Sequence, residues 1–316
     1  MPFISSVRGS FGAQGRVRRN ANSAMAIAGI TGGSVTTAGG YRIHTFTTVG
    51  SETFSISGYG IDIPVEAYVY GAGGASGSTN WGNGNGWSYG GGGGFSGGSI
   101  LARSNLVVKV GAGGSFANGA TLNEGGGAGG TSWGNGGGGG LSGIFTNTYS
   151  YANAILVAGG GGGGGTSRAS GQGVNRGGGG GGTTGQNGTS YSGNRFGKGG
   201  TQTGYQLPDA GDYSSGGWFA PAELTGGHPE PHGGGGGGGY WGGSGGAYYE
   251  PNDMGGGGGG SSYASSAVSN VTLTQASYQT GANQGGIYGS GSYGNGTSWG
   301  SAQSGQQGRV VIRYLI

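Results

Sequence analysis

Six uninterrupted glycine runs of nearly equal length punctuate this chain: 90–94, 136–140, 159–165, 177–182, 233–239 and 255–260, with lengths of 5, 5, 7, 6, 7 and 6. A glycine run has no side chain to bury, so hydrophobic contact cannot offset the entropy lost when it is ordered. Fixing one backbone residue costs about 1–2 kcal/mol, and glycine lies at the costly end. Two outcomes remain: the runs stay disordered, or their backbones hydrogen-bond to one another. A net hydrogen bond returns only about 0.5–1.5 kcal/mol, so order requires that nearly every N–H and C=O be paired. Side-by-side pairing requires runs of matched length, which these are.

The backbone form that suits such pairing is the polyproline II helix, with three residues per turn, a rise of about 3.1 Å and no internal hydrogen bonds. Its polar groups point outward at three azimuths, so copies can bond side by side in a hexagonal bundle. Any side chain at an inward azimuth would hold the neighbours apart. The expectation is a slab of polyglycine II helices, about 16 Å high for five residues and about 22 Å for seven. Flexible glycine linkers are the competing reading.

Composition decides between these and other glycine-rich classes. The chain has 95 Gly among 316 residues but only 7 Pro, and the glycines come in blocks, so a collagen register is excluded. Charged residues are 7% and aromatics 10%, against the profile of a self-repelling disordered chain. There is no Cys, hence no disulfide and no thiolate ligand or nucleophile. No run of 18 apolar residues predicts a membrane span. The opening MPFISSVRGSFGAQGRVRRN has no apolar core of a signal peptide, which predicts synthesis in a cytoplasm without secretory export.

Net charge is +3, unevenly placed. Arg8, Arg16, Arg18 and Arg19 stand near the N-terminus, and the first acid is Glu52. Residues 1–39 read as an extended basic arm suited to docking, and 40–316 as a glycine-rich domain of strands, glycine runs and aromatic loops. Period-two alternation marks strands at Tyr41–Thr48, at Phe54 and Ile56, and along Ile61, Ile63, Val65, Ala67 and Val69. Gly50–Ser51 is read as the turn between the first two. Further strands are expected at 106–110, 144–149, 154–158, 268–274 and 309–315. The terminal RVVIRYLI should pair into a sheet rather than stand as an edge. The fold expected is mostly β: a jelly-roll-like β-sandwich with strands from both ends of the chain, combined with the polyglycine II bundle, and no significant α-helix.

The pieces TFTTVGSETFSISG, LVVKVGAGG, ILVAGGGGGGG and the closing GRVVIRY together resemble the glycine-rich domains of bacteriophage tail-fibre and adhesin proteins, over about residues 40–316. The opening FISSVRGSFGAQGR looks like the N-termini of structural proteins of marine and T4-like cyanophages. The glycine-rich architecture also resembles the extracellular region of certain animal receptor tyrosine kinases, which carry the signal peptides and disulfides lacking here. The phage resemblance implies a virion protein made in the host cytoplasm, docked to other virion proteins through its arm. Its exposed loops would bind host surface polysaccharide or an outer-membrane protein without covalent chemistry. Homo-oligomers, a trimer among them, follow from symmetry habit. The alternative is a decoration or scaffold protein with no receptor role.

Aromatics cluster in the segments that interrupt the glycine runs, with Ser, Gly, Asn and Thr as companions. Candidate receptor-binding residues are Trp81, Trp87 and Tyr89; Tyr191, Arg195, Phe196, Tyr205, Tyr213, Trp218 and Phe219; and Tyr240, Trp241, Tyr248 and Tyr249. A fourth group is Tyr288, Tyr293 and Trp299. Rigid rings with small polar neighbours make a low-entropy contact surface, and they suit sugar stacking. The competing role is to cap the slab against water. The segment 183–232 holds enough glycine to conceal further passes, so the ends at which loops emerge stay open.

Other chemistry is thinly signalled. His228 and His232 flank Pro-Glu-Pro, which forbids a helix and favours a stiff loop over a metal site. Asp209, Asp212, Glu223 and Glu230 show no spacing that singles out a glycosidase pair, and no enzyme or cofactor is expected. The lone Arg176-Gly-Gly does not recur as RNA-binding repeats do, so no nucleic-acid partner is expected. An ice- or mineral-binding surface would need a regular Thr array, which is missing.

Overall fold

The computed structural model describes residues 29–56, 62–77, 88–116, 126–127, 135–166, 175–191, 193–209, 220–229, 233–249, 253–282, 288, 294–296 and 303–316. Apolar alternation there produces short strands: β1 (Ser34–Ala38), β2 (Tyr41–Phe46), β3 (Gly50–Phe54), β4 (Ile63–Tyr70), β5 (Phe95–Ala102), β6 (Leu106–Val110), β7 (Ser142–Thr146), β8 (Ala154–Ala158), β9 (Tyr248–Tyr249), β10 (Asp253–Met254), β11 (Tyr263–Ala264), β12 (Val268–Thr274) and β13 (Arg309–Leu315). Among the described residues there is no α-helix, only a 3-10 turn at Tyr151–Asn153, and so none long and apolar enough to cross a membrane.

Two antiparallel sheets carry the fold. One has the order β1-β2-β13-β4-β5-β12, the other β11-β8-β7-β6-β3, with β9 and β10 a separate pair. Every second residue of β13 and β4 faces the shared core: Val310, Ile312 and Tyr314, then Val65, Ala67 and Val69. They meet Leu106, Val108, Val110, Ile144 and Leu156 of the other sheet. The terminal strand is interior, paired with β2 on one side and β4 on the other, as its apolar sequence predicts.

Several expectations need adjusting. Of the arm read over 1–39, part is built into the fold: Ile30 is in the core, Thr31 bridges Ser55, and β1 at 34–38 pairs with β2. Gly39 and Gly40, with φ of 57° and 78°, turn that hairpin, a geometry that asks for positive φ at both central positions. Arg8, Arg16, Arg18 and Arg19 lie outside the described residues, as does Ile61. Gly50–Ser51 is not a turn but the start of β3, and β2 and β3 lie in different sheets. The strand expected at 144–149 runs instead over 142–146 and stops where Asn147 turns to φ 53°. Strand β5, FSGGSILA, was not expected because Gly97–Gly98 break its apolar alternation. The Phe95 ring fills the space at Gly97, where a Cβ would lie 2.9 Å from Cζ.

The glycine runs are buried, belong to neither sheet, and bond to one another. Residues 71, 74 and 77 donate to 94, 91 and 88; residues 72 and 75 to 140 and 137; residues 73 and 76 to 306 and 303. Every third residue thus addresses the same neighbour. Run 159–165 is fully surrounded. It donates to 71–77, 175–178 and 235–238, and accepts from 91–94, 136–139 and 257–260, at 2.7–3.0 Å. Run 255–260 is likewise bonded to six segments, including 186–189, 197–200 and 244–247. The segment 183–232 therefore does conceal further passes, at 185–189, 195–200 and 225–229.

Candidate functional site

Because passes alternate in direction, the bundle has two chemically different ends. At the sheet end, chain enters from β4, β6 and β8 and leaves into β5, β7, β11 and β13. At the far end, described residues mark where chain leaves the bundle and re-enters. Gly77 and Ser88 exchange both backbone bonds, and Phe116 bridges Gly136. Asn135, Thr166 and Asn175 are buried there; Thr166 donates to Asn135 Oδ1, and Asn175 Nδ2 donates to the Thr166 carbonyl at 2.8 Å. Asn175 Oδ1 accepts the Tyr191 N–H at 3.0 Å. These buried side chains bond to one another and to the backbone of neighbouring passes.

The expected receptor-binding residues divide between the ends. Tyr191 is 63% exposed at the far end. Tyr89 is there too, half-buried beneath the Arg176 guanidinium, 5.4 Å from its ring; Arg176 also lies 5.6 Å from Tyr278. The Arg195 carbonyl accepts from Ala247, which places it beside the hairpin of Tyr248–Tyr249 and Asp253–Met254. Phe196 is half-buried with Lys198 Nζ 4.8 Å over its ring, and Lys198 pairs with Asp209 at 2.5 Å. Trp81 and Trp87, in the segment joining Gly77 to Ser88, lie outside the described residues, as do Tyr213, Trp218, Phe219, Tyr293 and Trp299.

At the sheet end, the outer face of the five-stranded sheet is covered by rings. Tyr240 is 9% exposed, stacked 3.8 Å from Tyr263 and 4.2 Å from Tyr151. Burial, then the Tyr151 hydrogen bond, pushes its phenol pKa up. Trp241 donates its indole N–H to the Tyr151 hydroxyl at 3.1 Å, and Tyr205, 44% exposed, lies 6.0 Å from the indole. The structure thus unites Tyr205, Tyr240 and Trp241 and separates them from Tyr89, Tyr191 and Arg195.

A third cluster escaped the sequence reading. On the outer face of the six-stranded sheet, Arg313 lies 4.2 Å from the Tyr41 ring, 5.4 Å from Tyr68 and 5.7 Å from Tyr288. It donates to Glu66 Oε2 at 2.6 and 2.9 Å, and the Tyr68 hydroxyl donates to the same oxygen at 2.7 Å. Burial alone would raise Glu66, but bonds from Tyr68 and Arg313 outweigh it and hold the carboxyl below its usual range. The signal was Glu66, the one charged residue of β4, which pairs across from Arg313. Arg309 donates to the Tyr288 carbonyl at 3.0 Å, so two arginines tether Tyr288 to the sheet.

The remaining candidates stand apart. His228 is half-buried and burial lowers its pKa; His232, Glu230 and Asp212 lie outside the described residues. Among the described residues no three His, Asp or Glu side chains are grouped as metal ligands. Glu223 is exposed, its backbone bridging Trp241. The groups gathered here stack and hydrogen-bond. No protein family matches this chain, and no curated protein matches it.

Proposed function

We propose that the glycine passes are polyglycine II helices, that the two sheets form a β-sandwich closing one end of their slab, and that the chain is a phage virion protein. In this reading it is a tail-fibre or tip adhesin, active by binding rather than catalysis. The three-residue period of the donors supports the helix type, since three residues per turn bring i and i+3 to one azimuth.

The group at the end away from the sheets carries the functional reading. Tyr191, Arg195 and the pair of Tyr248–Tyr249 with Asp253–Met254 stand at the far end, opposite the sheets. A rigid slab that brings many connecting segments to one face suits recognition of a cell surface, where weak contacts add through many copies. The basic arm would hold the protein on the virion, and polysaccharide or an outer-membrane protein would be the receptor.

A second reading, structural assembly without a receptor, is favoured by Tyr240 and Tyr89, whose rings are spent on internal packing. The test is adsorption of fluorescently labelled protein to a panel of bacterial cells. The adhesin reading expects saturable binding to some strains, reduced about tenfold by Tyr191→Ala together with Trp81→Ala and Trp87→Ala. Unchanged binding in that triple variant, or none to any strain, favours the structural role.

A further inference from the structure

The ring cluster at the sheet end has features that covering a sheet does not require. Tyr240 alone lies deep between Tyr151 and Tyr263; Trp241 and Tyr205 carry the row outward to solvent. Trp241 is fixed at three points. Its indole N–H is held by Tyr151, its backbone N–H donates to Ser261 Oγ at 3.1 Å, and its carbonyl accepts the Ser261 N–H at 3.0 Å. The Tyr205 ring meets the indole at 45°, so the pair presents two tilted faces instead of a flat apolar plane. Thr201, Thr203 and Gln202 form a polar rim along the same segment, with Gln202 held by its Nε2 donating to the Ser262 carbonyl at 3.0 Å.

Lys109 is 5% exposed, its Nζ 5.1 Å over the Tyr149 ring, and Glu223, whose backbone bridges Trp241, is an exposed carboxylate. That carboxylate would repel an anionic sugar polymer.

We propose that Trp241 and Tyr205 form a stacking platform for the pyranose rings of a neutral polysaccharide. The C–H face of a pyranose is weakly positive and meets the negative face of an aromatic ring. The sugar hydroxyls bond to amide and hydroxyl groups at the rim. Rings already fixed in place lose little entropy on binding. The site lies at the opposite end of the slab from Tyr191 and the segments around it, so it stands whether or not those bind a cell.

Native gel electrophoresis of the full chain, with amylose, dextran or galactomannan cast in the gel, tests this. At least one neutral polymer retards the wild type, and Tyr205→Ala weakens that retardation about tenfold, while Tyr205→Phe retains it. Trp241→Phe, which keeps a ring but loses the bond to Tyr151, gives an intermediate loss. The Tyr191→Ala, Trp81→Ala, Trp87→Ala variant migrates as wild type even where its adsorption to cells is reduced, which separates this site from the adhesin reading. The proposal is overturned if no neutral polymer retards the wild type, if anionic alginate alone does, if Tyr205→Ala is retarded as fully as wild type, or if Tyr205→Phe loses as much as Tyr205→Ala.

Discussion

His44 sits in the core with both ring nitrogens engaged. Nδ1 donates to the Gly32 carbonyl at 2.8 Å, and because a carbonyl only accepts, Nε2 of the neutral ring accepts from the Tyr314 hydroxyl at 3.3 Å. Burial holds its pKa below 6.5, the Arg42 charge adds to this, and the Gly32 bond opposes it. Burial lowers His228 in the same direction. Both histidines take up a proton more readily when unfolded, so their contribution is complete above about pH 6.5 and is lost as pH falls toward the folded values. Glu66 acts in a separate window: its contribution is present above about pH 4.5 and fades below it. Calorimetry between pH 7.5 and 5 should show a falling Tm. His44→Gln should be less stable at pH 7.5 by about 1–3 kcal/mol yet fall less steeply. A His44→Gln, His228→Gln double variant with the wild-type slope would show that other groups govern the response.

At the scale of elements, a glycine run tolerates no side chain because backbone occupies every side. Gly162 donates to Gly178 and accepts from Gly91, and a Cβ there would overlap the Gly257 carbonyl. Two residues along the same run, a Cβ at Gly164 would lie 2.7 Å from the Gly77 nitrogen. A Cβ at Gly204 would meet nothing within 4 Å. Gly162→Ala should therefore cost about 3 kcal/mol by denaturant unfolding, and Gly204→Ala no more than about 0.5 kcal/mol. Amide exchange at Gly91, Gly178 and Gly257 should quicken in the first variant alone. Equal stability of the two variants would mean that the runs are not packed as described. The strands obey different rules: β1 is exposed along its length and held by β2 alone, while β13 is enclosed between two neighbours.

For the whole molecule, that enclosure links the two chain ends. β13 supplies Val310, Ile312 and Tyr314 to the core and separates β2 from β4, strands encoded more than two hundred residues earlier. Folding must wait for β13, and contacts so distant in sequence form slowly. A chain ending at residue 308 should show no cooperative thermal transition and should aggregate through the open edges of β2 and β4. A transition at the wild-type temperature would show that the glycine slab folds without the completed sheet.

Local structure was legible from the residues alone. Matched glycine runs announced paired backbones because nothing else can order them, and alternating apolar residues announced most strands, RVVIRYL above all. Strand β1 was hidden by its polar SVTTA and β5 by its glycine pair, since alternation is the only strand signal and both lack it. Tertiary structure alone decided which run lies at the centre. Glycine runs are chemically identical, so a run cannot choose its neighbours; the strands that precede and follow each pass choose for it. The same connectivity sent Tyr191 to one end and Tyr205 and Trp241 to the other, a separation invisible in a composition that repeats the same few residues throughout.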